Sequence, residues 1–105
     1  MTRAQAEPAV LTEDARTRVT RFDFAPGAET GWHEHAHDYV IVALTDCDML
    51  LEEPGGEERR ARVAAGEAYR RSAGIRHNVV NAGERPMRFV EIELLEPRAA
   101  AAGTG

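Results

Sequence analysis

The 105-residue chain contains a single cysteine, Cys47, and that scarcity excludes a good deal. No disulfide can form within the chain, and zinc sites built from several thiolates are ruled out. Cys47 lies in "LTDCDML" between two aspartates, whose negative charge disfavours a thiolate. A structural cysteine is therefore expected rather than a nucleophile. Surplus positive charge is lacking too. The net charge is −5, whereas phosphate recognition needs a basic patch, so nucleic acid is not an expected partner. No apolar run approaches the roughly 18 residues that cross a bilayer. The opening "MTRAQAEPAVLTED" lacks the apolar centre of a signal peptide. The expectation is a cytoplasmic protein that neither spans nor binds a membrane.

What is present is an ordinary globular composition, 43% hydrophobic and 30% charged. It suits one domain over residues 1–105 with a single modest core. A barrel is expected over about residues 8–96, between a flexible N-terminal segment, 1–7, and a loose tail, 97–105, made largely of small residues. Between the ends the pattern is strand and turn. "TRVTRFDF" (17–24) is rich in Thr, Val and Phe, and "APGAETG" breaks it. "DYVIVALT" (38–45) is apolar on both faces, as a central covered strand would be. "DMLLEEPGGEERRARV" reads as two strands joined by a Pro54-Gly55-Gly56 turn. "HNVVNA" is a further short strand. "MRFVEIELLE" alternates Val90, Ile92 and Leu94 against Glu91 and Glu93, which predicts an apolar buried face and an acidic wet one. A helix over 58–70 is disfavoured because Gly66 interrupts it and its apolar residues form no stripe. The fold class is all-β, a sandwich or small barrel.

The four histidines fall at two places only. His33, His35 and His37 alternate in "GWHEHAHDYV", and His77 stands alone in "SAGIRHNVVN". Histidines at i and i+2 of a strand share a face, roughly 6.5–7 Å apart, so two imidazoles can converge on one ion with a third from elsewhere. An isolated H-x-H pair, however, more often simply decorates a wet hairpin.

The residues around the histidines separate the two readings. Gly27, the five residues from Ala28 to Trp32, and His33-x-His35 resemble the first signature motif of the cupins. Gly66, five residues, Ser72-x-Gly74, two residues, His77, three residues and Asn81 resemble the second, with Ser72 where the family has proline. The resemblance implies a single-domain conical antiparallel β-barrel of jelly-roll type. It also implies one divalent transition metal in the barrel mouth (Fe, Mn, Ni, Cu or Zn), held by His33, His35 and His77. The glutamate that supplies the family's fourth ligand is missing; Tyr39 and Val40 stand where it is expected, and Asp38 is one residue early. A three-histidine site completed by water or substrate follows, similar to the all-histidine dioxygenases among cupins. Tyr39 and His37 are candidates for a fourth ligand or a substrate contact, with His37 expected in a turn at the rim. Arg76, Tyr69, Arg71 and Asn81 are candidate substrate contacts, and Trp32 is expected to pack on the opposite face.

The functional expectation is a metal-binding small cupin, an enzyme with dioxygenase-like or related lyase or isomerase chemistry on a small organic acid. The alternative is a non-catalytic cupin that binds a small molecule as a sensor or accessory protein. A metal-free structural barrel is a third reading. "FAPGAETGWHEHAHDYV" and "HNVVN" are faintly similar to small cupins linked to β-alanine degradation. Homodimerisation is expected because open strand edges in small β-domains invite pairing.

Overall fold

Short β-favouring runs punctuated by glycine turns become strands along most of the chain. The computed structural model describes residues 2–95. The strands are β1 (Glu7–Glu13), β2 (Thr17–Phe24), β3 (His33–Glu34), β4 (Asp38–Ala43), β5 (Cys47–Glu53), β6 (Glu57–Val63), β7 (Ala68–Arg71), β8 (Arg76–Asn81) and β9 (Met87–Leu94), with one 3-10 turn, Pro54–Gly56. The disfavoured helix over 58–70 is β6, a turn and the start of β7. Among the described residues no helix is long and apolar enough to cross a membrane.

Two antiparallel sheets face each other. One runs β1-β2-β9-β4-β7 and the other β3-β8-β5-β6. Inward-pointing residues of both form the core, among them Phe24, Tyr39, Ile41, Met49, Leu51, Val79, Met87 and Phe89. Phe24 and Phe89 lie with ring centroids 5.3 Å apart, and Phe22 joins them at 5.6 Å from Phe89. Cys47 is buried in this core, and its thiol is pushed up by burial first, with Asp46 adding to the effect. The expectation of a structural cysteine fits that environment.

Two expectations need correction. The alternation in β9 runs the other way: Met87, Phe89 and Glu91 are buried, while Val90, Ile92 and Leu94 are only half-buried on the outer face. The outer face is populated by its neighbours. Ile92 sits in register between Val19 and Val40, and Val90 beside Val42, so these side chains cover one another across the strands. The inner face needs apolar residues only where it meets the core, at Met87 and Phe89, and farther along it meets a cavity. The N-terminal segment expected to be flexible is also tied down. The Ala6 amide donates to the Glu29 carbonyl at 2.8 Å, the Glu29 amide to the Ala4 carbonyl at 2.9 Å, and Arg3 pairs with Glu29 and Glu52 at 3.0 and 3.1 Å. The strand that follows, β1, pairs with β2 through a bulge between Val10 and Thr12 and has no counterpart among the strands expected from sequence. The tail expected to be loose, 97–105, lies outside the described residues.

Candidate metal centre

Three histidines meet where the two motifs cross. The two-residue strand β3 pairs with β8 so that His33 stands directly opposite His77. His35 follows just beyond β3, two residues from His33 and therefore on the same side. It is pinned by two backbone bonds: its amide donates to the Ile75 carbonyl, and the Gly74 amide donates to its carbonyl, both at 2.8 Å. Gly74 makes that turn at φ 98°, a conformation that costs a residue with a Cβ roughly 1–2 kcal/mol. Thus the second motif's glycine holds the first motif's histidine.

The imidazoles converge through one nitrogen each. His33 Nε2 and His35 Nε2 are 3.1 Å apart, as are His35 Nε2 and His77 Nε2. The three residues offer ligand atoms all within 4.8 Å of one another. His33 is oriented by its other nitrogen, Nδ1, which donates to the Gly31 carbonyl at 2.8 Å and leaves Nε2 facing the other two rings. His35 is 6% exposed and stacks on Tyr39, ring centroids 3.8 Å apart and planes 16° from parallel. Burial, with lesser contributions from His33 and Arg71, holds His35 down to about 4. Burial, then His33 and His35, hold His77 down to about 3. At neutral pH both rings are uncharged, so each has one nitrogen lone pair available to an ion.

Those features fit a transition-metal ion. At the zinc–imidazole distance of roughly 2.0–2.1 Å, tetrahedral ligands of one ion lie about 3.3 Å apart, close to the observed 3.1 Å. Imidazole nitrogens this close need a cation or a shared proton between them. His77 Nδ1 is buried without a protein partner, in the place where a ligand histidine usually hands its proton to a second group.

The histidines stand at one side of a cavity of about 400 Å³ between the sheets. Phe22, Ile41, Met49, Val79 and Phe89 supply apolar wall; Tyr39, Tyr69, Glu91 and Glu93 supply polar wall. Tyr39 is 2% exposed and its hydroxyl has no hydrogen-bond partner. Burial pushes its phenol well above the usual range, which disfavours a phenolate ligand.

The other expected site residues divide. Tyr69 lines the cavity, and so does His37, which sits half-buried in the bend after His35 and outside the three-histidine cluster. Arg71 is absent from the cavity wall, although its charge helps keep His35 and His77 neutral. Arg76 is not a cavity residue: it is exposed, with its guanidinium 5.3 Å from the Trp32 ring centroid. Parity explains this, since Arg76 and His77 are consecutive on β8 and point oppositely. Trp32 is 47% exposed, so it lies under Arg76 rather than packing in a core. Asn81 is buried away from the cavity, donating to the Phe24, Ala25 and Arg85 carbonyls and accepting from the Gly83 amide. It braces turns rather than touching substrate.

Sequence reasoning misses Asn78, Glu91 and Glu93. Asn78 Oδ1 accepts from the Gly31 amide at 2.9 Å, and its Nδ2 donates to Glu29 and Glu52 at 2.8 Å each. It fixes the loop whose carbonyl orients His33. Its position next to His77 is the signal that could have found it. For Glu91 and Glu93 the signal is Phe89, two residues before Glu91 and in step with it.

Comparison with known proteins bears on the fold and the family. The Cupin domain family matches residues 20–93. The Beta-alanine degradation protein BauB of Pseudomonas aeruginosa is 53% identical over 92 residues, covering 88% of this chain and 96% of its own. A crystal structure of a cupin domain from Bordetella pertussis Tohama I is 42% identical with a TM-score of 0.85, over 90% of this chain and 97% of that one. The polyketide cyclase RemF from Streptomyces resistomycificus shares the fold, with a TM-score of 0.68 at 24% identity over 91% of this chain and 71% of its own.

Proposed function

The chain belongs to the cupin family, and from that premise we propose that it is a metal-dependent enzyme of small-molecule metabolism, acting on a small organic acid through a three-histidine site. One observation carries the reading: three imidazoles converge, with the Nε2 atoms of His33 and His77 each 3.1 Å from that of His35, beside a cavity of substrate size. His33, His35 and His77 would hold one divalent transition ion (Fe, Mn, Ni, Cu or Zn), which supplies Lewis acidity and an open coordination position when bound. The name of the Pseudomonas relative makes breakdown of β-alanine the metabolic setting to test first. A cytoplasmic homodimer is part of the same reading, with β1, β7, β3 and β6 ending their sheets as pairing edges.

The chain's own residues do most of the arranging. The Gly31 carbonyl selects the His33 tautomer, and Asn78 holds Gly31 in place. Tyr39 lies flat on His35 and fixes its ring plane. Burial keeps His35 and His77 unprotonated at neutral pH. Phe22, Ile41, Met49 and Phe89 limit water in the cavity, so polar contacts to a substrate are stronger than at a surface.

The test is a turnover screen of metal-replete protein against three- and four-carbon acids related to β-alanine, with dioxygen uptake followed in parallel. Consumption of one such acid, abolished by His35→Ala, is the expected result. Saturable binding with the acid recovered unchanged would place the protein among non-catalytic cupins instead.

A further inference from the structure

Across the cavity from the histidines lies a carboxyl group with no part in arranging them. Glu91 is central on β9, flanked in register by Thr20 on β2 and Ile41 on β4. It is 9% exposed and lines the cavity, and no hydrogen bond to its carboxyl occurs among the described residues. Its neighbour on the same face, Glu93, is already matched by Arg18 at 3.1 Å. Arg18 is committed to Glu93 and reaches Glu91 only through the field of its charge, which leaves Glu91 as a buried acid of the wall without a paired cation. Beside it stands a second unsatisfied group. Tyr39 is in register with Glu93 and therefore diagonal to Glu91 on the same face, and its hydroxyl is buried, partnerless and part of the same wall. The buried, partnerless Tyr39 hydroxyl is costly unless something in the cavity engages it, and Glu91 faces the same space with no hydrogen bond to its carboxyl among the described residues.

We propose that Glu91 and the Tyr39 hydroxyl form an ammonium subsite, so that the cavity selects a short amino acid whose amine rests on Glu91 and whose carboxylate points toward the histidines. The carboxylate half rests on the proposed metal-dependent function, and the ammonium half does not. The two ends lie on different sheets. His33 and His77 belong to β3 and β8, and Glu91 to β9 in the facing sheet. Side chains fill most of the space between facing sheets, so a short ligand with charge at both ends suits the remaining gap. Burial and the neighbouring Glu93 push the Glu91 carboxyl up to about 7, so it is poorly satisfied without a ligand and gains from a cationic one.

Two titrations test the proposal. In metal-free protein, propyl- to pentylammonium are compared with the matching alcohols by NMR. In zinc-loaded protein, ω-aminoalkanoates of three to five carbons are compared with ω-hydroxyalkanoates of equal length. The amine should bind about tenfold or more tightly in both comparisons, as a charge-assisted bond predicts. Glu91→Gln should erase the preference, and Tyr39→Phe should reduce it. Equal affinity for amine and alcohol in the wild-type metal-free protein would overturn the subsite, as would a preference unchanged in Glu91→Gln. Zinc stoichiometry on the same samples reports separately on the histidines.

Discussion

Tyr39 shows how much one side chain determines at this site. Its ring faces His35 and its hydroxyl faces the cavity without a partner. The sequence marks it as a candidate fourth ligand because it stands where a glutamate is expected; the buried, neutral phenol argues for a contact to ligand instead. Tyr39→Phe keeps the stack and removes an unsatisfied hydroxyl. Metal content should be unchanged and stability equal or higher by about 1 kcal/mol; loss of metal in this variant would return Tyr39 to the ligand set. Titration of the buried groups gives a second residue-level prediction. His35 and His77 are held at about 4 and about 3, below the ordinary 6.5. Their contribution to stability is therefore complete above 6.5 and lost as pH falls toward those values. Glu91 is raised from 4.5 to about 7, so its contribution is present below 4.5 and lost as pH rises through 7. Between 4.5 and 6.5, two groups stabilise the fold with rising pH and one opposes them. Urea unfolding of metal-free wild type should show stability rising with pH in that window, and Glu91→Gln should show a steeper rise. A slope no steeper in the variant would contradict the placement of Glu91.

At the scale of elements, most strands are legible in the local sequence. Thr17–Phe24 is β2 as expected, and the Pro54-Gly55-Gly56 turn joins β5 to β6. Strong β-formers bounded by turn residues are local signals, and local signals survive folding. Facing is a different matter, because it depends on what lies across the sheet. In β9 the Val-Ile-Leu alternation suggests the wrong inner face, since a cavity accepts carboxylates where a packed core would not. β1 is illegible for a related reason. It is short of buried residues, exposes Val10 and Leu11, and forms by pairing with β2 rather than by patterning of its own. The junction of β8 with the 28–31 loop offers a test of how elements brace the site. Asn78→Ala removes the bonds to Gly31, Glu29 and Glu52. It should cost about 2–4 kcal/mol in denaturant unfolding and weaken metal binding about tenfold or more, by freeing the loop that orients His33. Lost stability with undiminished metal affinity would separate that network from the site.

The whole molecule is two facing sheets closed over a core at one end and open to a cavity at the other, with distant parts of the chain meeting at the open end. His33 and His35 come from the first motif and His77 from the second, 42 residues after His35. Their grouping is readable because only two stretches of the chain carry histidine and each sits in a recognisable glycine framework. His37 lacks that support, and it lies outside the cluster. The acidic wall opposite is not readable, since its residues derive their role from the cavity and not from any motif. The proposed function turns on whether the three imidazoles hold an ion, and elemental analysis of protein purified under metal-replete conditions measures that directly. Wild type should carry about one transition-metal ion per chain, and His77→Ala should lose it while keeping the wild-type circular dichroism spectrum. Metal-free wild type, or a His77→Ala variant that retains its full complement, would contradict the three-histidine centre.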